Sequence, residues 1–289
     1  MTAVFAVVRA AHFLSLMTIF GAASLRALFR LSLPAPPVSR VSIQLFPMGA
    51  YVALASALFW FGLTVAQVGG GAAAVFSLQT IWIVITQTSF GPVFLARITL
   101  TGLLVATTFF PQASVAPIVL SAAALGAISL TSHAAASGDS FMQLRVVNDA
   151  AHLLTAGFWI GALVELVPLV IAERKSAKAL VPPLRVFSRW GAVPVAVLIT
   201  TGAFNGIMIL HTSAARWSPG YLTLLAAKVV LAGLMVSLAL TNRYSLLPDV
   251  RQGLPEAAEN LAGSVIAEFA IGTIIVCIVG VLGLVAPTN

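Results

Sequence analysis

Histidine is the residue type of this sequence best suited to binding a metal or a prosthetic group. The chain has four histidines, at His12, His133, His152 and His211. Neutral imidazole is a common ligand of transition metals, because one nitrogen can bind the metal while the other forms a hydrogen bond. The single cysteine excludes a disulfide framework, a zinc ribbon and a CxxC redox motif. The candidate chemistry is therefore ligation of a metal or a haem by histidine.

Polar neighbours favour a ligand role for His152. Asn148 and Asp149 precede it by four and three residues, so on a helix both can reach the imidazole. A ligating histidine usually donates its second N–H to such a group. Trp159 follows seven residues later on the same face. An interfacial hydrogen-bonding role remains the alternative for each histidine taken singly.

A second polar stripe is formed by Asn205, Met208 and His211, at helical spacing near the end of an apolar run. Lipid would not favour such a stripe, so we expect it to face the protein interior. Histidine with methionine, and without a cysteine pair, favours copper over structural zinc, because thioether sulfur is a soft ligand for Cu(I). Cys277 is expected to be a small buried hydrophobic residue.

The composition indicates that a membrane surrounds these residues. Of the 289 residues, 60% are hydrophobic and 8% are charged, whereas about one quarter of a soluble domain is charged. Disorder and coiled coil are excluded by the same shortage of polar sequence. The net charge of +7 comes from basic residues spread singly between apolar runs, which argues against nucleic acid as a partner. We predict an all-α integral membrane protein in contact with lipid.

A membrane-spanning helix needs roughly 20 predominantly apolar residues. Eight stretches meet this requirement, and the predicted spans 1 to 8 cover residues 3–25, 42–67, 89–110, 114–134, 146–171, 187–211, 221–243 and 261–286. Residues 77–88 are predicted to form a short interfacial helix that ends before Gly91-Pro92. Span 1 is expected to be retained and not cleaved as a signal peptide, because Arg26 and Arg30 follow its apolar run.

The distribution of lysine and arginine predicts the orientation. The connections between spans 1 and 2, 5 and 6, and 7 and 8 carry ten of these residues, whereas the loops on the other side carry only Arg145 and Arg216. Positive loops mark the cytoplasmic side. Both termini are therefore predicted to be periplasmic, and all four histidines are placed towards the outer face.

An internal duplication relates residues 1–134 to residues 135–289. His12 and Gly21 match His152 and Gly161, and glycine follows histidine by nine residues in both halves. The segment ARITLTGL, which contains Arg97, matches AKVVLAGL, which contains Lys228. Chance similarity between Ala- and Leu-rich helices is the alternative. We predict two parallel four-helix units related by a pseudo-two-fold axis along the membrane normal.

Four other ionisable residues fall within the predicted spans. Arg97 and Lys228 lie in the outer half at equivalent positions, and Glu165 and Glu268 lie deeper. Charges within a membrane usually face the bundle interior. Two interpretations are open: the two glutamates relay a cation below the histidines, or they are structural partners of Arg97 and Lys228 or reach to the interface.

Several short motifs, taken in order, resemble the bacterial copper resistance D (CopD/PcoD) family of inner-membrane proteins. They include Ser132-His133-Ala134, AHLLTAGFWIGAL at 151–163, YLTLLAAK at 221–228 and Asn242-Arg243. The resemblance extends over nearly the whole chain and is most specific over 129–248. It implies an eight-helix protein that is thought to move copper inward and to receive it from a separate periplasmic copper-binding protein of the CopC type. It also implies functional histidines at positions 12, 133 and 152.

We therefore expect a copper transporter in the bacterial inner membrane, with a copper ion as its ligand. His12 and His152 would approach each other near the pseudo-axis, and His133, with Met208 and His211, would complete an outer site of uptake. The sequence has no phosphate loop, nucleophile elbow or paired carboxylates, so we do not expect an enzyme. A b-type haem electron carrier, recognisable by a Soret band, and a non-transporting copper-delivery scaffold are the alternatives. A homo-oligomer is left open.

Overall fold

The computed structural model describes residues 2–37, 40–110, 115–131, 141–174, 176–212 and 217–286. Within these ranges the chain forms ten α-helices, with a 3-10 helix at Ala72–Phe76 and a π-helical turn at Asn242–Leu246. The α-helices are α1 (Thr2–Ser32), α2 (Arg40–Val68), α3 (Leu78–Gln87), α4 (Gly91–Thr107), α5 (Ala116–Ser129), α6 (Met142–Glu173), α7 (Ala177–Thr212), α8 (Pro219–Thr241), α9 (Leu247–Gln252) and α10 (Ala257–Leu282).

Within the described residues, each predicted span overlaps one of these helices. Six helical stretches in the described residues are long and apolar enough to cross a membrane: α1, α2, α6, α7, α8 continued into α9, and α10. A seventh is obtained if α3 and α4, which meet at an angle of 100°, form one broken span. The apolar helix α5 has 14 residues and is shorter than a usual span. The fold is thus an all-helical membrane protein with six or seven candidate spans.

The helix predicted at 77–88 is confirmed as α3. Ser77 caps its first turn by accepting a hydrogen bond from the backbone of Thr80 at 3.2 Å. Trp82 is exposed on its surface, as expected of a helix that lies at the membrane boundary. At the bend, Gly91 lies so close to the backbone of Val84 and Ile85 that a Cβ atom would clash. This bend fixes the start of α4.

The helices α1 and α6 pack at the centre of the bundle and touch through glycine. A Cβ atom on Gly21 would overlap the backbone of Gly157, Gly161 and Ala162, and one on Gly161 would overlap Gly21 and the Met17 carbonyl. Because lipid tails are as apolar as the helix surfaces, close packing of small residues is a main source of helix association in membranes. The contact brings together Gly21 and Gly161, the two glycines that the predicted duplication matches.

The two halves use corresponding helix pairs. Helix α1 packs against α2 and α5, as α6 packs against α7 and α10, and α4 packs against α5 as α8 packs against α10. The correspondence fails in one place. Helix α2 packs along α4, whereas α7 and α8 are separated by a cavity of about 350 Å³ that both line.

We predict that Gly161→Ala lowers the stability of the protein by about 1–3 kcal/mol, the usual result of forcing an extra methyl group into a tightly packed contact. Thermal unfolding of the purified protein in detergent measures the effect. Gly126→Ala in α5 is the matched control, because a Cβ atom there meets nothing within 4 Å. Equal melting temperatures for the two variants would contradict the close contact of α1 and α6.

Candidate functional site

His12 is completely buried on α1 and is held by α2. Its Nδ1 atom lies 3.1 Å from the Ala53 carbonyl oxygen and 3.0 Å from Ser56 Oγ. The hydroxyl of Ser56 has its own acceptors, the carbonyls of Val52 at 2.6 Å and Ala53 at 3.0 Å. Because a carbonyl only accepts and the serine proton is already used, Nδ1 must be the protonated nitrogen. The lone pair of His12 is therefore on Nε2, which is buried with no hydrogen-bond partner in the described residues.

His152 on α6 is held by α7 in the same way. Its Nδ1 atom lies 3.0 Å from Thr201 Oγ1, and the Thr201 hydroxyl donates to the Val197 carbonyl at 2.6 Å. The backbone of Leu198 also interacts electrostatically with this imidazole. Nδ1 is again the donor, so Nε2 again carries the lone pair. Both histidines are oriented as neutral ligands that offer Nε2.

The two hydroxyl groups are the part of the site that the sequence analysis missed. The Ser56 hydroxyl binds His12 and the Thr201 hydroxyl binds His152, and at His12 the Ala53 carbonyl, one helical turn before Ser56, bonds the same nitrogen. The sequence contains one signal for them, because predicted spans 2 and 6 carry these hydroxyl residues at matching positions. Hydroxyl residues are common in membrane helices, however, and nothing local distinguishes these two.

The polar residues beside His152 have other roles than the sequence indicated. Asn148 donates to the Thr201 carbonyl at 3.1 Å and to Asn205 Oδ1 at 2.7 Å. It therefore joins α6 to α7 beside the imidazole instead of orienting the ring itself. Asp149 interacts electrostatically with Lys228, whose charge also acts on His152.

The described residues do not bring the predicted ligands into one cluster. His133 lies outside the described residues, as does the side chain of His211 at the end of α7. Met208 is half-buried on α7. His12 is bound by α2 and His152 by α7. Among the side chains that the structure describes, no group of three histidine, cysteine, aspartate or glutamate residues could hold a metal ion.

A cation lies near each histidine, as the matched positions of Arg97 and Lys228 suggest. The charge of Arg97 acts on His12, and its guanidinium lies over the Trp60 ring at 4.2 Å. Trp60 also meets the His12 ring edge-on, with 5.9 Å between the centroids. Any metal bound at Nε2 of His12 would lie in this cationic and aromatic environment.

Both buried glutamates have partners other than Arg97 and Lys228. The prediction that they pair with those two cations was therefore wrong. Glu165 pairs with Arg26, with 3.0 Å between Arg26 Nε and Glu165 Oε2, and the pair joins α6 to α1. Glu268 accepts a hydrogen bond from Trp159 Nε1 at 3.1 Å and another from Asn242. Glu165 thus has a structural contact, and Trp159 reaches Glu268.

Glu268 also lines the cavity between α7 and α8. The other walls are mainly apolar side chains of α6, α7, α8 and α10. The π-helical turn at Asn242–Leu246 supplies Asn242 and Arg243 to the same cavity, and Arg243 donates to the Ser188 carbonyl. Such π-helical insertions are frequent at functional sites. The cavity thus combines an apolar interior with one buried carboxylate.

Cys277 is exposed on the surface of α10, and its prediction as a buried residue was wrong. The inward face of this helix carries Gly272, Val276 and Gly280 at intervals of four residues. Cys277 follows Val276 directly, so helical geometry turns it about 100° away from that face.

Most of the chain matches two protein families. The family described as "Copper resistance protein D-like, N-terminal domain" matches residues 1–143, and the family "Copper resistance protein D" matches residues 182–282. The copper resistance protein D of Pseudomonas syringae pv. tomato is 30% identical over 218 residues, which is 70% of each chain. The chain belongs to the copper resistance protein D family. The resemblance inferred from the motifs is confirmed.

A second relative supports the location. The inner membrane protein YebZ of Escherichia coli (strain K12) is 27% identical over 283 residues, or 96% of each chain. Together with the candidate spans, this establishes a multi-pass protein of the inner membrane. No solved structure matches the chain. His12 and Arg97 fall in the first family match, whereas His152 lies between the two matched ranges.

We predict that His12 and His152 are neutral in the metal-free protein, with the proton on Nδ1 and not on Nε2. The hydroxyl acceptor beside Nδ1 in both sites, joined by the Ala53 carbonyl at His12, is the physical reason. ¹⁵N NMR of protein labelled at histidine distinguishes the two tautomers, and His12→Gln and His152→Gln assign the signals. A proton on Nε2 of either residue would refute this orientation of the imidazole rings.

Proposed function

We propose that this protein binds copper from the periplasmic side and transports it into the cytoplasm, with His12 and His152 as ligands. The observation that carries the proposal is the arrangement repeated beside the two histidines. In both, a hydroxyl of the next helix binds Nδ1 and leaves Nε2 as the ligand atom, and at His12 the Ala53 carbonyl binds Nδ1 as well. Membership of the copper resistance protein D family supports copper as the metal.

The proposed topology has eight spans, with α4 and α5 included and α3 at the membrane interface, and with both termini in the periplasm. We further propose that residues 1–134 and 135–289 are two parallel four-helix units. The corresponding helix pairs and the contact of Gly21 with Gly161 support this duplication. The cation beside each histidine also supports the duplication.

Copper transfer needs more ligands than one imidazole in each half. We propose that His133, His211 and Met208 add ligands at the outer face, where a periplasmic protein of the CopC type would deliver the metal. Glu268 is the candidate for the lower part of the path, since its buried carboxylate lines the cavity between α7 and α8. Glu165 is assigned a structural role, because Arg26 holds it. The proposed activity is transport and not catalysis.

The proposal predicts that His12→Ala and His152→Ala each abolish uptake of copper into proteoliposomes and lower the copper bound per chain. Elemental analysis of washed vesicles and of purified protein measures both quantities. Cys277→Ser is the control, because Cys277 is exposed on α10. Unchanged copper binding in both histidine variants would overturn the site.

Measurements on the same variants distinguish transport from the two alternative functions, copper delivery and haem binding. If copper binding requires both histidines but the vesicles take up no copper, the protein is a scaffold that delivers copper and not a transporter. A Soret band in the purified protein that disappears in His12→Ala or His152→Ala would replace copper by haem.

The orienting role of Thr201 gives a finer prediction. Removing a group that orients a metal-binding histidine typically lowers metal affinity by about 10- to 100-fold, and we expect this loss of copper affinity in Thr201→Val. Thr200→Val is the matched control, because Thr200 precedes Thr201 on α7 and its hydroxyl bonds only the backbone of its own helix. Equal copper affinities of the two variants in a competition titration would contradict the role.

A further inference from the structure

Arg97 is a buried cation whose nitrogens have no hydrogen-bond acceptor in the described residues. Its side chain is completely buried, and Nε, Nη1 and Nη2 all lack a partner there. The flat faces of the guanidinium are satisfied, because Trp60 lies 4.2 Å and Phe94 lies 5.1 Å from its central carbon. Its edge carries five N–H donors, and these have no acceptor in the described residues.

Arg9 adds a second positive charge at the same place. Its guanidinium lies 4.9 Å from the Trp60 ring centroid, and Arg9 and Arg97 act on each other electrostatically. Nε of Arg9 is likewise buried without an acceptor in the described part of the chain. The far end of Arg9 packs against Gly283, where α10 ends, and the carbonyls of a helix end carry partial negative charge. Arg97 therefore has the greater need of a counter-charge.

The other half of the molecule contains that counter-charge. Measured from the histidine, Arg9 stands three residues before His12, and Asp149 stands three residues before His152. Lys228, the match of Arg97, has the attractive interaction with Asp149. Thus the second half places a carboxylate beside its cation, where the first half places a second cation.

Two like charges buried without a counter-ion are strongly unfavourable, since desolvation alone costs several kcal/mol per ion in proteins. Arginine does not relieve this by losing its proton. The seven acidic residues that the structure describes do not relieve it either, because none is among the charges that act on Arg9 or Arg97. The missing negative charge must come from elsewhere.

We propose that a small inorganic anion, with chloride as the physiological example, binds between the edge of the Arg97 guanidinium and Nε of Arg9, beside Trp60. Complete burial of Arg97 favours a small ion over the phosphate of a lipid headgroup, which remains attached to a bulky molecule at the membrane surface. Guanidinium N–H groups form strong charge-assisted hydrogen bonds to anions. The anion takes the place that the carboxylate of Asp149 has beside Lys228.

A bound anion would also affect the neighbouring histidine. Nε2 of His12 is buried in the field of Arg97, which repels a copper ion. An anion at Arg97 would reduce this repulsion and permit copper to bind. This consequence depends on the proposed copper function, whereas binding of the anion does not.

Binding of ³⁶Cl⁻ to the purified, metal-free protein in chloride-free detergent buffer tests the proposal. We expect saturable binding of one chloride per chain. Arg97→Gln should lower the affinity by about 10- to 100-fold, the value of one strong hydrogen bond to a charged group. Lys228→Gln is the matched control from the other half and should retain chloride binding. No saturable binding, or undiminished binding by Arg97→Gln, would overturn the proposal.

A second measurement does not depend on how well the arginine variant folds. Bromide replaces chloride in such sites and quenches tryptophan fluorescence on contact, so the unmodified protein should show saturable quenching that Trp60→Phe removes. Purely collisional quenching would contradict the site. Displacement of the ³⁶Cl⁻ by phosphatidylglycerol in mixed micelles would assign the site to a lipid headgroup and overturn the inorganic ion.

Asp139 lies outside the described residues and is tested separately. If its carboxylate were the counter-charge, the unmodified protein would not bind ³⁶Cl⁻, and Asp139→Asn would begin to bind it. That result would overturn the proposal. Equal chloride binding by Asp139→Asn and the unmodified protein supports it. Because all these measurements are made without copper, their failure is distinct from failure of the proposed transport.

Discussion

In a lipid environment two helices approach closely only where small residues remove side chains from the contact, as Gly21 and Gly161 do between α1 and α6. His12 and His152 each precede their glycine by nine residues, or about 13 Å along a helix. The glycine contact therefore fixes the positions of both histidines relative to each other. Farther along α1 and α6, the ion pair of Arg26 with Glu165 joins the same two helices again. The neighbouring helices α2 and α7 then supply the hydroxyl groups that bind Nδ1 of the two imidazoles.

The class of fold and the positions of the helices could be predicted from the sequence, because both follow from local composition. Long apolar runs must form helices in lipid, since every backbone N–H and C=O has to be satisfied within the segment. The short helix α3 was predicted for a similar reason, as its apolar spacing and the following Gly91-Pro92 are local signals. The family was recognised from the order of short motifs around His133, His152 and Lys228.

The contacts of the site could not be predicted in the same way, because they depend on how each helix is rotated against its neighbours. Asn148 stood at the right spacing to orient His152, yet α7 presents Thr201 to the imidazole and leaves Asn148 to bind Asn205. Glu165 pairs with Arg26, which the sequence analysis had assigned to a loop-orienting role. Cys277 differs from its buried neighbour Val276 by a single step of the helix. Small rotations decide such contacts, and hydrophobic patterns in membrane helices do not specify them.

The separation of α7 from α8 gives the two halves different mechanical properties. In the first half, Trp60 of α2 packs on Phe94 of α4, with 5.8 Å between the ring centroids, and the seam between these helices is filled. In the second half the corresponding seam is open, and the cavity reaches the carboxylate of Glu268. Helices that share few side-chain contacts can move apart with little loss of packing energy. Opening the seam between α7 and α8 would therefore break fewer contacts than opening the seam between α2 and α4.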